Sequence, residues 1–526
     1  MRWHIPVVIV LATFLIYGNT LKSDFVWDDL LFIKGKSPIQ QLENIPAFFT
    51  SDISWGTNLP HATPYYRPLY STMMAVQYSL WGADSSGYHC INLLLQAGIA
   101  LLVYLLARRF TLSESASIGA ALIYSVHPVH SEGVAYLGSS SELQYTFFCL
   151  AAMLFYLRYR DSFKSGDLLT AIFCYFFALF TKESALTLPL LVLVLEVAFP
   201  KGTPGQKVAR LSAVAAVTVL YLVDRFQYVK EIAWQENPLQ DRVYTSIGII
   251  GRYIWNLLAP FNLKVLYDVP LKPSFFRTDV VLPLLGLLVL FWVFFYSFQK
   301  SRRVFFFSSW IVIGLAPASG LPALLLPAPM ADRYLTLSLI GYAVLAGIMY
   351  DGLKARFGEA GTSWRGSKVT ALCVLLCLVL GAMTAKRNLI WRDHETFVRR
   401  MIADAPEHFL GYELLGTLEG GKGNYSAMAD SYYQAEQKTL ARNLALGREY
   451  LALGRLEEAV AAFERLMKKF SHEPKVLNGM GEALLLKGKP FEAIAFFRQG
   501  ALICPSCTEI TDNLRKVENS GSWQNQ

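Results

Sequence analysis

Two adjacent carboxylates, Asp28 and Asp29, follow Trp27 inside the apolar stretch Phe25-Val26-Trp27-Asp28-Asp29-Leu30-Leu31-Phe32. This stretch comes a few residues after the apolar segment Ile5 to Tyr17. Acids held in apolar sequence at the mouth of a membrane segment are expensive to maintain, and ionisable groups in such surroundings concentrate at functional sites. A solvated acidic loop is the plain alternative, and the apolar flanks on both sides speak against it. One carboxylate of such a pair can take a proton from a hydroxyl. The other raises its neighbour's proton affinity by like-charge repulsion, or orients the acceptor.

Three further positions bring cations to the same outer face as the Asp pair: Tyr65-Tyr66-Arg67-Pro68, Lys182-Glu183 and Asp332-Arg333-Tyr334. Each taken alone suits an interfacial anchor, with a long basic side chain reaching water beside a Tyr. Together on one face, opposite in sign to the Asp pair, they suit a phosphate pocket. His127-Pro128-Val129-His130-Ser131-Glu132 adds two imidazoles and a carboxylate. These residues could bind a divalent metal, orient a polar headgroup or end a helix. The absence of a clear third and fourth ligand favours the last two, so no cofactor is firmly implied and a divalent cation stays open. The set matches transfer of a sugar from a polyprenyl phosphate. Phosphate is a good leaving group without an acid, so a base for the acceptor hydroxyl and cations for the departing phosphate suffice. A single attack at the anomeric carbon inverts it.

The elements that would position these residues are membrane helices. The 526 residues are 54% hydrophobic and 17% charged, against about 25% charged in ordinary soluble domains; mean hydropathy is +0.35. Spans are expected near 4–21, 88–107, 115–131, 140–158, 167–181, 184–199, 208–224, 279–298, 304–319, 333–350 and 368–385, eleven in all. The first follows Arg2, has no small-residue cleavage site and is expected to stay uncleaved. Net charge is +8, with the basic residues in short loops. That pattern is topological and does not suggest a nucleic-acid surface. With the N-terminus in the cytoplasm, Arg108-Arg109, Arg158, Arg160, Lys164, Lys201, Lys207, Arg210, Lys300, Arg302, Arg303, Lys354, Arg356, Arg365 and Lys368 all fall inside, provided that 244–262 re-enters or lies in plane. The Asp pair and the C-terminal tail are then outside. Five cysteines lie in apolar segments. Cys504 and Cys507 suit a local bridge or helix-end residues better than half a zinc site or a redox pair.

Residues 404–526 form a separate, charged unit. It follows a membrane domain, residues 1–385, and a connecting helix, residues 386–403. Gly447, Tyr450, Gly454, Ala459 and Phe463 recur 34 residues later as Gly481, Leu484, Gly488, Ala493 and Phe497, with a weaker copy at Gly416, Gly423 and Tyr432. This is the tetratricopeptide period, with small residues where paired helices touch. About three such repeats would grip a peptide partner or cap the membrane domain.

Residues 24–32, 65–109, 127–160, 181–196, 331–341 and 391–397 (Trp391-Arg392-Asp393-His394-Glu395-Thr396-Phe397) resemble, in order, the transmembrane and tetratricopeptide-repeat O-mannosyltransferases and their bacterial relatives. The resemblance implies an all-α GT-C glycosyltransferase fold, a dolichyl- or undecaprenyl-phosphate-linked sugar donor and transfer on the non-cytoplasmic side. It also implies an acidic pair in the first outer loop, here Asp28 and Asp29. Where relatives often carry Gly-Arg-x-Asp after the His motif, this chain reads Ser139-Ser140-Ser141-Glu142. The expectation is an inverting membrane glycosyltransferase, placed in a bacterial inner membrane, with protein Ser or Thr as acceptor. Asp28 and Asp29 are its catalytic candidates. Tyr66, Arg67, His127, His130, Glu132, Lys182, Glu183, Arg333 and Tyr334 are its substrate-binding candidates. The alternative is a non-catalytic scaffold or envelope-assembly factor that recruits partners through its repeats. A scaffold has no need of the Asp pair.

Overall fold

The computed structural model describes residues 4–57, 63, 65–229, 237–319, 329–358 and 363–519. Arg2, the side chain of Arg365 and the last residues through Gln526 fall outside the described set. The fold is all-α, with no strand among the described residues. Two compact units divide the chain. One comprises 1–236, 246–267 and 282–400; the other comprises 237–245, 268–281 and 401–526.

In the first unit, a helix covers most of each segment whose hydropathy suggests a span. Ser85–Arg109 shows how sequence sets such a helix. The Asp84 carboxylate accepts the Ser86 N–H at 2.9 Å, and Arg108 and Arg109 occupy the last turn. An N-cap acid and C-terminal cations both suit the helix dipole. One side of this helix buries Leu93, Ala97, Ala100 and Val103, while Leu94 and Leu105 remain exposed. Thr278–Lys300 goes further and exposes Leu285, Leu288, Phe291, Trp292 and Phe295. An apolar surface this continuous belongs against lipid rather than water. By length and composition, five helices among the described residues can cross a membrane: His4–Lys22, Ser85–Arg109, Pro204–Tyr228, Thr278–Lys300 and Ser367–Trp391. The chain is an integral membrane protein. Leu239–Leu258, which covers most of 244–262, is two-faced. It exposes Leu239, Trp255 and Leu258 and buries Ile249, Tyr253 and Asn256.

The second unit contains the helices Phe409–Gly421, Tyr425–Ala452, Leu456–Met467, Pro474–Leu486, Pro490–Ile503 and Thr508–Asn519. Its core joins Leu444, Tyr450, Phe463, Leu477, Met480 and Phe497. The expected helix contacts recur at the 34-residue spacing. A Cβ on Gly447 would lie 2.7 Å from the Phe463 ring, and a Cβ on Gly481 would lie 2.4 Å from the Phe497 ring. One feature departs from the period. Tyr425–Ala452 runs unbroken for 28 residues, through the point where the repeat calls for a turn. Pro474 and Pro490 punctuate the later helices, whereas this stretch has no Pro and no Gly before Gly447. Cys504 and Cys507 form a disulfide.

The second unit also includes two segments far from the tail in sequence. Asp241 is fully buried and accepts from the Tyr450 hydroxyl at 2.7 Å and from Arg455 Nη1 at 2.6 Å. Arg455 also donates to the Pro273 carbonyl at 3.0 Å, and Arg277 pairs with Glu449 at 2.8 Å. Asp268 pairs with Arg442.

Candidate active site

The residues singled out for chemistry collect at helix ends in the first unit. Trp27-Asp28-Asp29 forms a turn after the first helix and before the short helical turn Leu30–Lys34. Arg67 directly precedes the helix Pro68–Trp81, where Pro68 fits the first helical position. His127 precedes Pro128 and is extended, as that position demands, and it ends the helix Glu114–Val126. Glu132 lies on the short helix His130–Ala135, Lys182 at the break after Ser165–Thr181, and Arg333 in the turn Asp332–Leu335 before Ser338–Gly358.

The two carboxylates have different surroundings. Asp28 is partly exposed, and its Oδ2 accepts a hydrogen bond of 2.8 Å from the Tyr136 hydroxyl. Asp29 is buried. Its two oxygens accept from the backbone N–H of Val26 at 3.1 Å and of Gly138 at 2.6 Å. A side chain at position 138 would strike the Tyr136 hydroxyl, since its Cβ would lie 2.6 Å away. Glycine is therefore what lets this N–H reach Asp29. Burial pushes the Asp28 carboxyl above its ordinary range, against the opposing pull of the Tyr136 bond and the Arg333 charge. Burial raises Asp29 further, against the backbone N–H groups of Val26, Gly138 and Leu137 and with the Asp28 charge adding to the rise. Neither forms an ion pair among the described residues. Asp28 is thus placed to accept a proton, and Asp29 to fix the loop that carries it.

An aromatic wall frames Asp28. Trp27 stacks on Tyr136 at 5.7 Å and on Phe397 at 5.6 Å, and Trp391 stacks on Tyr136 at 5.4 Å. The Trp27 N–H donates to His394 Nδ1 at 3.3 Å, and the Asp24 N–H donates to the Arg392 carbonyl at 2.9 Å. Trp27 itself has φ +53°, a left-handed conformation that costs a bulky residue about 1–2 kcal/mol. Such strain persists only where packing over-determines it, and it concentrates at functional sites.

The cations stand near this wall, and each is already paired. Arg333 forms an ion pair with the fully buried Glu132, whose other oxygen accepts the Arg333 N–H at 3.1 Å. Its guanidinium lies 5.9 Å from the Tyr136 ring and 4.9 Å from the Tyr334 ring. Lys182 pairs with Glu142 and lies 5.0 Å from the same Tyr334 ring. Arg67 grips Glu183 with two bonds of 2.9 and 2.5 Å and stacks over Tyr65 at 4.4 Å. Burial alone would raise Glu183, but Arg67 outweighs it and holds the carboxyl down at about 2. Tyr334 therefore sits between two cations, and Tyr136 links the Asp28 side to the Arg333 side. The three cations are not a bare phosphate pocket. Each shares its charge with a glutamate, and an incoming phosphate would compete for donors with that glutamate.

Three candidates lie elsewhere. Tyr66 is buried, with its hydroxyl 2.6 Å from Asp224 and its ring stacked on Tyr228 at 5.7 Å. It braces the helix Pro204–Tyr228. His127 is buried against the Leu257 carbonyl at 3.1 Å, and His130 packs on Tyr124 at 4.4 Å. Among the described residues, no group of three His, Cys, Asp or Glu is arranged to hold a metal. The contributions of Tyr136, Trp391, His394, Phe397 and Glu142 were not singled out from sequence. All five lie within the stretches 127–160 and 391–397, where family resemblance was the available signal.

Tyr136→Phe tests the central hydrogen bond. It keeps the ring and its stacks and removes only the hydroxyl that lowers the proton affinity of Asp28. The acid limb of the pH–rate profile is expected to move up by about one pH unit, the worth of a hydrogen bond to a charged group. An unmoved limb would show that the bond does not tune Asp28.

No established protein-family profile matches the chain. Against the protein O-mannosyl-transferase Tmtc1 of Drosophila melanogaster it is 24% identical over 511 residues, covering 78% of this chain and 59% of the relative. Against F38B6.6 of Caenorhabditis elegans it is 25% identical, covering 81% and 62%. Against human TMTC3 it is 23% identical, covering 88% and 54%. The chain thus spans under two thirds of the length of these relatives. Among solved structures, the apo oligosaccharyltransferase of Archaeoglobus fulgidus aligns with TM-score 0.41 at 14% identity, covering 73% of this chain and 56% of that one. ArnT of Cupriavidus metallidurans, bound to undecaprenyl phosphate, aligns with TM-score 0.39 at 14% identity, covering 88% and 80%. Over most of its length, then, this chain is similar to the transmembrane protein O-mannosyl-transferases, as the motifs around Asp28 and Trp391 imply.

Proposed function

We propose that the chain is an inverting membrane glycosyltransferase that moves a sugar from a polyprenyl-phosphate donor to a hydroxyl acceptor, a protein Ser or Thr. The observation that carries this reading is Asp28: a carboxylate of raised basicity, partly open, oriented by Tyr136 and backed by the Arg333–Glu132 pair. Asp28 takes the proton of the acceptor hydroxyl. The acceptor oxygen attacks the anomeric carbon from the face opposite the phosphate, a new C–O bond forms, and the bond to the phosphate oxygen breaks with its electron pair. Arg333, Lys182 and Arg67 supply positive charge for that leaving group. The similarity to O-mannosyl-transferases supports mannose and a protein hydroxyl.

Topology follows the charge count. The Asp28 end and the tail belong on the non-cytoplasmic side, and the Cys504–Cys507 disulfide fits an oxidising compartment there. In a bacterium this is the periplasmic side of the inner membrane. The test uses the purified full chain, a polyprenyl-phosphate mannose donor and a Ser/Thr peptide. Transfer with inverted anomeric configuration and release of polyprenyl phosphate is expected. Retained configuration, or no transfer from any polyprenyl-phosphate sugar while a nucleotide sugar serves, overturns the proposal.

A further inference from the structure

The first unit has a cavity of mixed lining at the other end of the helices from Asp28. Ser85, at the start of its helix, donates to the Ser23 carbonyl at 2.6 Å, near the Asp pair. Arg109, at the end of the same 25-residue helix, is about 36 Å away at 1.5 Å per residue. There a cavity of about 300 Å³ opens between helix ends. Its polar wall has three guanidinium groups, Arg109, Arg160 and Arg303, against one carboxylate, Asp161. Its apolar wall is Phe110, Leu157, Leu195 and Phe199.

The charges are unevenly satisfied. Asp161 is shared between Arg109 and Lys201, and Arg160 lies 3.2 Å from Glu196 and donates to the Phe199 carbonyl. Arg303 has no carboxylate partner among the described residues. It donates from Nη1 to the Phe110 carbonyl and to Thr111 Oγ1, both at 3.2 Å, and it is exposed. Loop basicity alone places cations on this face. It does not require them to ring a cavity with a phenyl-lined wall. Leu195 also belongs to a helix that exposes Leu190, Leu193 and Val197 along one side. A ligand that satisfies the cations and covers this apolar surface carries both a phosphate and acyl chains.

We infer that this cavity binds the headgroup of an anionic phospholipid, with the phosphate at Arg303 and Arg109 and the acyl chains along the apolar side. The site is separate from the sugar-transfer site, and its occupancy does not depend on that activity. Delipidated full-length protein is titrated with phosphatidylglycerol or with phosphatidylcholine of the same acyl chains, and bound lipid is counted by native mass spectrometry. Phosphatidylglycerol is expected to bind at least about fivefold better, the worth of one favourable cation at a membrane surface. Arg303→Gln should remove that preference, and Arg303→Lys should keep most of it. Equal retention of the two lipids, or a preference unchanged in Arg303→Gln, overturns the inference. Displacement of the lipid by millimolar inorganic phosphate would show that the cavity reads phosphate without the lipid, and would overturn the lipid assignment. If Arg303→Gln lacks the wild-type thermal transition, Arg109→Gln takes its place in the same comparison.

Discussion

Asp28→Asn is expected to leave a folded, inserted protein whose transfer rate falls by about 100-fold or more, the usual contribution of a positioned base. The amide keeps an oxygen for the Tyr136 hydroxyl, so the bond of 2.8 Å survives and only the proton acceptor is lost. Asp29→Asn acts differently. Both Asp29 oxygens accept backbone N–H groups, and an amide would turn an NH2 toward Val26 or Gly138. That variant should lose activity together with thermal stability, by roughly 1–3 kcal/mol for an unmatched buried donor. The pH dependence of the wild type gives a second check. Burial raises Asp28 from its ordinary value of 3.8, so the base is lost as pH falls through this raised value. The rate should therefore decline on the acid side while still above the pH at which a free aspartate titrates. Full activity in Asp28→Asn, at any pH, would remove Asp28 from the mechanism.

Arg333→Met should have the next largest effect, and it acts on two levels. Glu132 is fully buried, and the guanidinium is its ion-pair partner. Removing one member of a buried pair leaves an uncompensated charge, at about 3–5 kcal/mol. The double variant Glu132→Gln with Arg333→Met removes both charges and should recover most of that stability. It should not recover transfer if Arg333 also neutralises the departing phosphate. Thermal unfolding and kcat measured on the two variants separate these contributions. A double variant with wild-type kcat would reduce Arg333 to a structural partner of Glu132. Lysine is not an equivalent at this position, because one guanidinium nitrogen pairs with Glu132 while the other donates to the Tyr334 hydroxyl at 3.4 Å.

Much of this was legible in the sequence where the physics is local. Apolar runs of membrane length became helices, and the 34-residue spacing put Gly447 against Phe463 and Gly481 against Phe497. The Asp pair stood out because its flanks Phe25, Val26, Trp27, Leu30 and Leu31 speak against a solvated acidic loop. What separated the two acids was not legible. It depends on Tyr136 and on the Gly138 N–H, more than a hundred residues away. The aromatic wall joins positions 27, 136, 391 and 397, and no periodicity relates them. Lys182 was legible as a candidate phosphate cation, but its pairing with Glu142, forty residues away, was not. His127 and His130 lie in the core, where His127 ends its helix and meets a backbone carbonyl, a placement that depends on the distant Leu257.

The Asp241–Arg455 bond bears on how such chains can be recombined. Asp241 is wholly enclosed, and its partners Tyr450 and Arg455 come from the tail, more than two hundred residues downstream. A crossover near residue 404, where composition shifts, would join a new tail to an old Asp241 and leave an interior charge without its cation. Inheritance should therefore couple positions 241, 450 and 455. A chimaera that imports a foreign repeat region is expected to need the donor's 237–245 and 268–281 segments as well.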